Sequence, residues 1–187
     1  MKQLFLILAV LALPLQVSIA AEREAIVWLA EGVSLKGYKQ LELHPVINDT
    51  GKNYEFDVAA LMTQTIRSNL ELAGLEVLEP NENPQRNVIG LQNRLVEFIP
   101  GSVGGRWVSF GLGAAVCILR TLVVDDASGE IVAEIISAKV VDEGGLFTAG
   151  AEKTVPKGVA KRAAGEVAEL VGMQIPPEEQ ERNGEDW

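Results

Sequence analysis

The stretch 115–124 constrains this chain more than any other. It reads AVCILRTLVV, almost wholly apolar, and it runs directly into the turn cluster Asp126-Ala127-Ser128-Gly129 and a second strand-like run over 130–141. A short run of this kind marks a central strand covered on both faces of a sheet. The cluster after it predicts a hairpin, with Gly129 in the left-handed conformation that tight loops require. The rest of the chain must therefore extend this hairpin into a sheet and supply apolar surfaces to cover it.

Other segments supply those parts. Residues 88–99 form a second long strand, with Ile89, Leu91, Leu95 and Ile99 predicted on one face. Residues 38–47 form another, in which Leu41, Leu43 and Pro45 alternate with Gln40, Glu42 and His44. A short strand follows at 75–78. The lead-in 22–36 is either irregular or a first short strand holding Ile26, Val27, Trp28 and Leu29. The clearest helix spans 57–73, where Val58, Leu61, Met62, Thr65, Ile66, Asn69, Leu70 and Ala73 recur at steps of three and four. Asp57 is placed to cap it, Phe56 and Leu61 to staple it, and Gly74 to end it. A second helix is predicted to begin near Pro156. It carries the small-residue face Val159, Ala160, Ala163, Ala164, Val167, Ala168 and Val171, and it stops at Gly172. The order β-α-β-β-β-β-α predicts an α+β fold: one mixed, mainly antiparallel sheet with two helices on one face, in a single domain over 21–175.

The first residues carry an address. Lys2 precedes an unbroken apolar run over 4–13, then Pro14, Gln16 and the small-residue site Ser18-Ile19-Ala20, which predicts a signal peptide over 1–20 cleaved after Ala20. The run is shorter than the roughly 18 apolar residues that a membrane span needs. A lipoprotein signal would place a cysteine at the cleavage site, but the only cysteine is Cys117. The expectation is a periplasmic or secreted protein with no transmembrane span after cleavage and no lipid anchor. At the other end, 176–187 (PPEEQERNGEDW) reads as a disordered acidic tail.

Charge and composition exclude several functions. The 187 residues carry a formal net charge of -10, and such a surface repels the phosphates of nucleic acids. With one His and one Cys, a Cys/His metal centre and an internal disulfide are excluded by counting, and no cofactor loop is present. His44 has no recognisable nucleophile to serve and reads as an ordinary polar strand residue. Cys117 sits mid-strand and reads as a buried structural thiol. Asp125 and Asp126 are adjacent, so on a strand they would point to opposite faces, and they read as the start of a turn. The segment 101–113 (GSVGGRWVSFGLG) holds five glycines without the spacing of a phosphate or dinucleotide loop. It is either a hairpin connection or a partner-binding loop presenting Arg106, Trp107 and Phe110, residue types enriched at interface hot spots.

The succession over 87–133 carries a resemblance. A strand (NVIGLQNRLVEFIPGS) leads to an arginine in a glycine-rich stretch (GGRWVSFGLGAA), then to an apolar strand ending in Asp and Ser-Gly-Glu (LVVDDASGEIVAE). This resembles the bacterial envelope family catalogued as domain of unknown function 4410, with Arg106, Gly111, Gly113, Asp125, Gly129 and Glu130 at the positions of its pattern. The resemblance covers most of 38–172. It implies a small mixed α/β envelope domain and transfers no catalytic residue. The expected function is therefore a non-enzymatic interaction or assembly module without cofactor, its partner an envelope protein or a second copy of itself. The alternative is a periplasmic carrier of a small apolar ligand held between sheet and helices.

Overall fold

A computed structural model of the chain describes residues 25–80, 88–101, 114–141 and 151–176. The expected signal peptide, the glycine-rich segment from residue 102 and the acidic tail from residue 177 lie outside the described residues. Seven strands form one sheet: β1 (Ile26–Leu29), β2 (Gln40–Leu43), β3 (Ile47–Asn48), β4 (Glu76–Leu78), β5 (Val88–Ile99), β6 (Ala115–Asp125) and β7 (Ile131–Val141). Their spatial order is β1-β7-β6-β5-β2-β4, with β3 beside β5. The pairs β1–β7, β6–β7 and β5–β6 are antiparallel, while β2–β4, β2–β5 and β3–β5 are parallel. Two helices, α1 (Val58–Leu72) and α2 (Ala151–Leu170), complete the expected α+β architecture.

The helix ends follow from local chemistry. The Asp57 carboxylate accepts from the Ala60 N–H at 2.9 Å and satisfies one of the free donors at the start of α1. Both helices close through a glycine with positive φ. Leu75 N donates to the Leu70 carbonyl around Gly74 (φ 86°), and Met173 N donates to the Ala168 carbonyl around Gly172 (φ 83°). Val58, Met62, Ile66 and Leu70 are the buried stripe of α1. Each large apolar side chain so buried contributes roughly 1.5–3 kcal/mol.

α2 begins earlier than the sequence predicts, with Pro156 inside it rather than at its start. Val155 is fully buried, and that burial holds the preceding turn helical. The proline then forfeits one backbone bond, the one its absent N–H would have made to the carbonyl of residue 152. The helix packs through Val159, Ala160, Ala163, Ala164, Val167 and Ala168, all buried, so small side chains bring it close to the sheet as expected.

The predicted strand over 38–47 divides into β2 and β3. Leu41 and Leu43 are buried as expected, but Pro45 is exposed and Val46 takes the inward place, its N–H donating to Thr63 Oγ1 of α1 at 2.9 Å. The lead-in does form a strand, β1. The central strand β6 is not covered equally on both faces. Ala115, Cys117, Leu119, Thr121 and Val123 are buried beneath the helices, whereas Val116, Ile118, Arg120 and Val124 are only half-buried by their neighbours in the sheet.

The face expected for β5 holds only as far as Leu95. Ile89, Leu91 and Leu95 are fully buried, but the inward residue at the far end is Phe98, with Ile99 39% exposed. The register between β5 and β6 shifts between Leu95 and Glu97, a bulge in which Val96 is the extra residue. One extra residue exchanges inward and outward positions for everything beyond it. Phe98 then meets Tyr54 at 4.9 Å and Phe56 edge-on at 6.4 Å between ring centroids.

Two predictions follow from this core. Phe98→Ala should destabilise the protein by about 3–5 kcal/mol in a denaturant titration, and Ile99→Ala by well under about 1 kcal/mol, the reverse of what unbroken alternation requires. Burial pushes the Cys117 thiol up from 9.0 to about 12. Folding thus favours the neutral thiol, so its contribution is intact below the unfolded value of 9.0 and is lost as pH rises toward about 12. The stability deficit of Cys117→Ala relative to the parent should accordingly shrink across that window. A thiol reagent at neutral pH should label Cys117 only after denaturation.

Candidate functional site

Side chains alternate across a strand, so the sheet that buries one set beneath α1 and α2 must display the other set on its opposite face. The described residues place no helix on that second face. Its register is set by the long ladder: Ile99 lies beside Val116 and Val116 beside Val140, with Ile118 beside Ala138 and Ile136 beside Ile26. Ile99, Val116, Val140, Ile118 and Ala138 form a mainly apolar half at the end of the sheet where β5 finishes and β6 begins, with Glu97 beside Ile118. The other half is mixed: Ile136 and Ile26 share a row with Arg94 and Arg120, and Trp28 lies beside Glu134. Arg120 Nε donates to Glu134 Oε1 at 2.7 Å, and Arg94 Nη1 donates to Asp49 Oδ2 at 2.8 Å. The hydrogen bond and charge of Glu134 push the Arg120 guanidinium further up from its ordinary value.

The exposure on this side is concentrated in β1. Ile26 is 68% and Trp28 53% exposed, and Val27 and Leu29, which point to the helix side, are also exposed. Val96, Ile99 and Val140 extend the apolar surface across the sheet. β1 is an edge strand and carries no charge and no proline along its length. The opposite edge, β4, is framed by Glu76, Glu79 and Pro80 and is crossed by Arg67 of α1, which donates to the Val77 carbonyl and pairs with Glu79. Proteins guard open edges with such charges and prolines, and among the described residues only the β4 edge carries them.

The remaining sequence candidates fall in separate places. His44 is more than an isolated polar residue: its Nε2 lies 3.1 Å from Glu42 Oε1, and Glu42 is almost wholly buried beside Gly90. Alternation had placed Glu42 on the polar side of β2, but it is buried where it lies between Leu78 of β4 and Gly90 of β5. Cys117 lies on the inner face, away from this pair. Asp125 accepts from Ser128 N and Ser128 Oγ, and Asp126 N donates to the Val88 carbonyl, so this acidic pair builds the turn. Gly129 has φ 72°, as the hairpin requires. Arg106, Trp107 and Phe110 lie outside the described residues, and the segment bearing them leaves and re-enters the sheet beside Ile99 and Val116.

A cleft of about 340 Å³ opens at the same end, lined by Tyr54, Phe56, Phe98, Pro100, Gly101 and Glu152. The Tyr54 hydroxyl donates to the Phe98 carbonyl at 3.0 Å, and Lys153 Nζ stands 5.7 Å from the centre of the Phe56 ring. Among the described residues no group of three or more His, Cys, Asp or Glu is placed to hold a metal ion. No helix among them is long and apolar enough to cross a membrane.

No family model matches this sequence, and no curated protein matches it. Solved structures do share its fold. PelC from Paraburkholderia phytofirmans, crystallised as a dodecamer, superposes with a TM-score of 0.52 over 78% of this chain and 98% of its own, at 13% identity. A Xanthomonas campestris protein of the family DUF330 superposes with a TM-score of 0.50 over 71% of this chain and 84% of its own, at 12% identity. A minor lipoprotein from Acinetobacter baumannii reaches 0.40 over 72% and 92%, at 15% identity. The chain thus shares its fold with PelC and with the DUF330 protein.

Proposed function

We propose that this chain is a non-enzymatic accessory protein of the bacterial envelope, exported to the periplasm or beyond, that works by associating with other protein surfaces. The observation that carries this reading is the side of the sheet on which the described residues place no helix, together with the edge strand β1: Ile26 and Trp28 at that edge, and Ile99 and Val140 at the end of the sheet, expose large apolar side chains of the kind that mark interaction sites. The signal peptide expected from the sequence of residues 1–20 and the sequence resemblance to the 4410 family support the address. That PelC, which shares the fold, is a dodecamer supports self-association as one form of this behaviour. Arg106, Trp107 and Phe110 are proposed as further partner contacts, because their segment joins the sheet beside the same apolar half.

A carrier of a small apolar ligand is the second reading, and the aromatic cleft of Tyr54, Phe56 and Phe98 favours it. Native mass spectrometry of freshly purified protein separates the two readings: a stoichiometric co-purifying ligand supports the carrier.

Cross-linking in intact cells followed by affinity capture tests the interaction reading. The expected result is a stoichiometric cross-linked partner or multimer. Recovery of the chain alone under several growth conditions would overturn it. The double change Trp107→Ala and Phe110→Ala should weaken that capture and leave the melting temperature nearly unchanged. A fall of many degrees would instead assign these rings to the core.

A further inference from the structure

We propose that a second copy of this chain adds to the sheet along β1, antiparallel across a two-fold axis centred on Trp28. The proposal rests on the association reading above and names the partner and the register.

The backbone determines which groups are free. Ala30 N donates to the Val132 carbonyl at 2.9 Å, and the register pairs Trp28 with Glu134 and Ile26 with Ile136. Residues of an antiparallel strand direct both backbone groups alternately toward one neighbour and the other. Ala30, Trp28 and Ile26 therefore face β7, and Val27 and Leu29 direct their N–H and carbonyl groups to the edge that no other described strand pairs. A two-fold axis perpendicular to the sheet at Trp28 sets Val27 opposite Leu29 of the second copy, and Leu29 opposite its Val27. Each such pair exchanges two hydrogen bonds, so the register satisfies all four free groups of both strands. Trp28 then meets its own counterpart in a non-hydrogen-bonded pair, where side chains stand closest. Both rings lie on the uncovered face, beside Ile26 of the other copy.

Charge favours an identical partner at this edge and not at the other. The chain carries a net charge of -10, so two copies repel wherever their acidic groups meet. β1 contributes no charge, and Glu134 opposite Trp28 is already paired with Arg120. Pairing β4 with itself would bring Glu76 and Glu79 of both copies together. An edge of four residues buries less than the roughly 1,200–2,000 Å² of a stable interface, so the dimer is reversible and depends on concentration.

Sedimentation velocity over a concentration series tests this on the full purified protein. The parent should shift from monomer to dimer as concentration rises. Val27→Pro removes an N–H that points only to the open edge, so its melting temperature should stay close to the parent's while dimerisation weakens by at least about tenfold. Trp28→Lys places a cation beside Glu134 within one chain but two cations face to face across the axis, and it should weaken the dimer likewise. If Val27→Pro does not fold, Trp28→Lys decides. A parent that stays monomeric throughout, or variants that dimerise as the parent does, would overturn the pairing. In either case, a different protein recovered by cross-linking would leave the association reading standing.

Discussion

The backbone ladder joining β5, β6 and β7 is the constraint from which the rest of this molecule follows. Its hydrogen bonds hold three long strands in one register, and alternation then assigns every side chain to the helix side or the open side. Leu91, Leu95, Leu119, Val123, Ala133 and Ile135 gather beneath the helices because the ladder aligns them. The same ladder commits Val116, Ile118, Ile136 and Val140 to the other side, where the described residues supply no second layer. An apolar half-face is thus a consequence of the way the core is built, because strands this rich in aliphatic residues cannot put all of them inward.

The bulge at Val96 adjusts that assignment once. By exchanging inward and outward positions beyond Leu95, it turns Phe98 toward Tyr54 and Phe56 and closes the end of the core where α1 begins. It also turns Ile99 outward to join Val116 and Val140. One extra residue therefore seals the core with an aromatic cluster and enlarges the open apolar surface.

The polar groups show how selectively the inner layer admits hydrogen-bonding atoms. Asn93 and Thr121 lie side by side on adjacent strands beneath the helices, and the Thr121 hydroxyl donates to Asn93 Oδ1 at 2.7 Å. That pairing meets the requirement that buried polar groups find partners. The Ser137 hydroxyl is buried without a hydrogen-bond partner among the described residues. On the open side Arg120–Glu134 and Arg94–Asp49 pair in the plane of the sheet and balance one another's charge, beside the cross-strand neighbours Ile136–Ile26 and Trp28–Glu134 of the same rows. Surface pairs of this kind contribute little to stability, roughly 0–1 kcal/mol each.

Features that depend on neighbours along the chain were legible from the sequence. Asp57 and Gly74 bound α1, Gly172 ends α2, and Gly129 closes the hairpin, because caps and turns are decided within a few residues. The inward face of β5 was legible for the same reason as far as Leu95, whereas the apolar run of β6 did not show that its two faces are covered unequally. What only the tertiary structure decided depends on residues far apart. The bulge that places Phe98 inward is a property of two strands in register. The burial of Glu42 is a property of the assembled sheet, and the early start of α2 accompanies the burial of Val155 in the core. The candidate surface belongs to this second class. Ile26 to Leu29 read as four apolar residues at the start of a chain, and nothing local says that they become the edge of a sheet. Pairing with β7, more than a hundred residues later, makes them one, because hydrogen bonds between strands are indifferent to separation along the sequence.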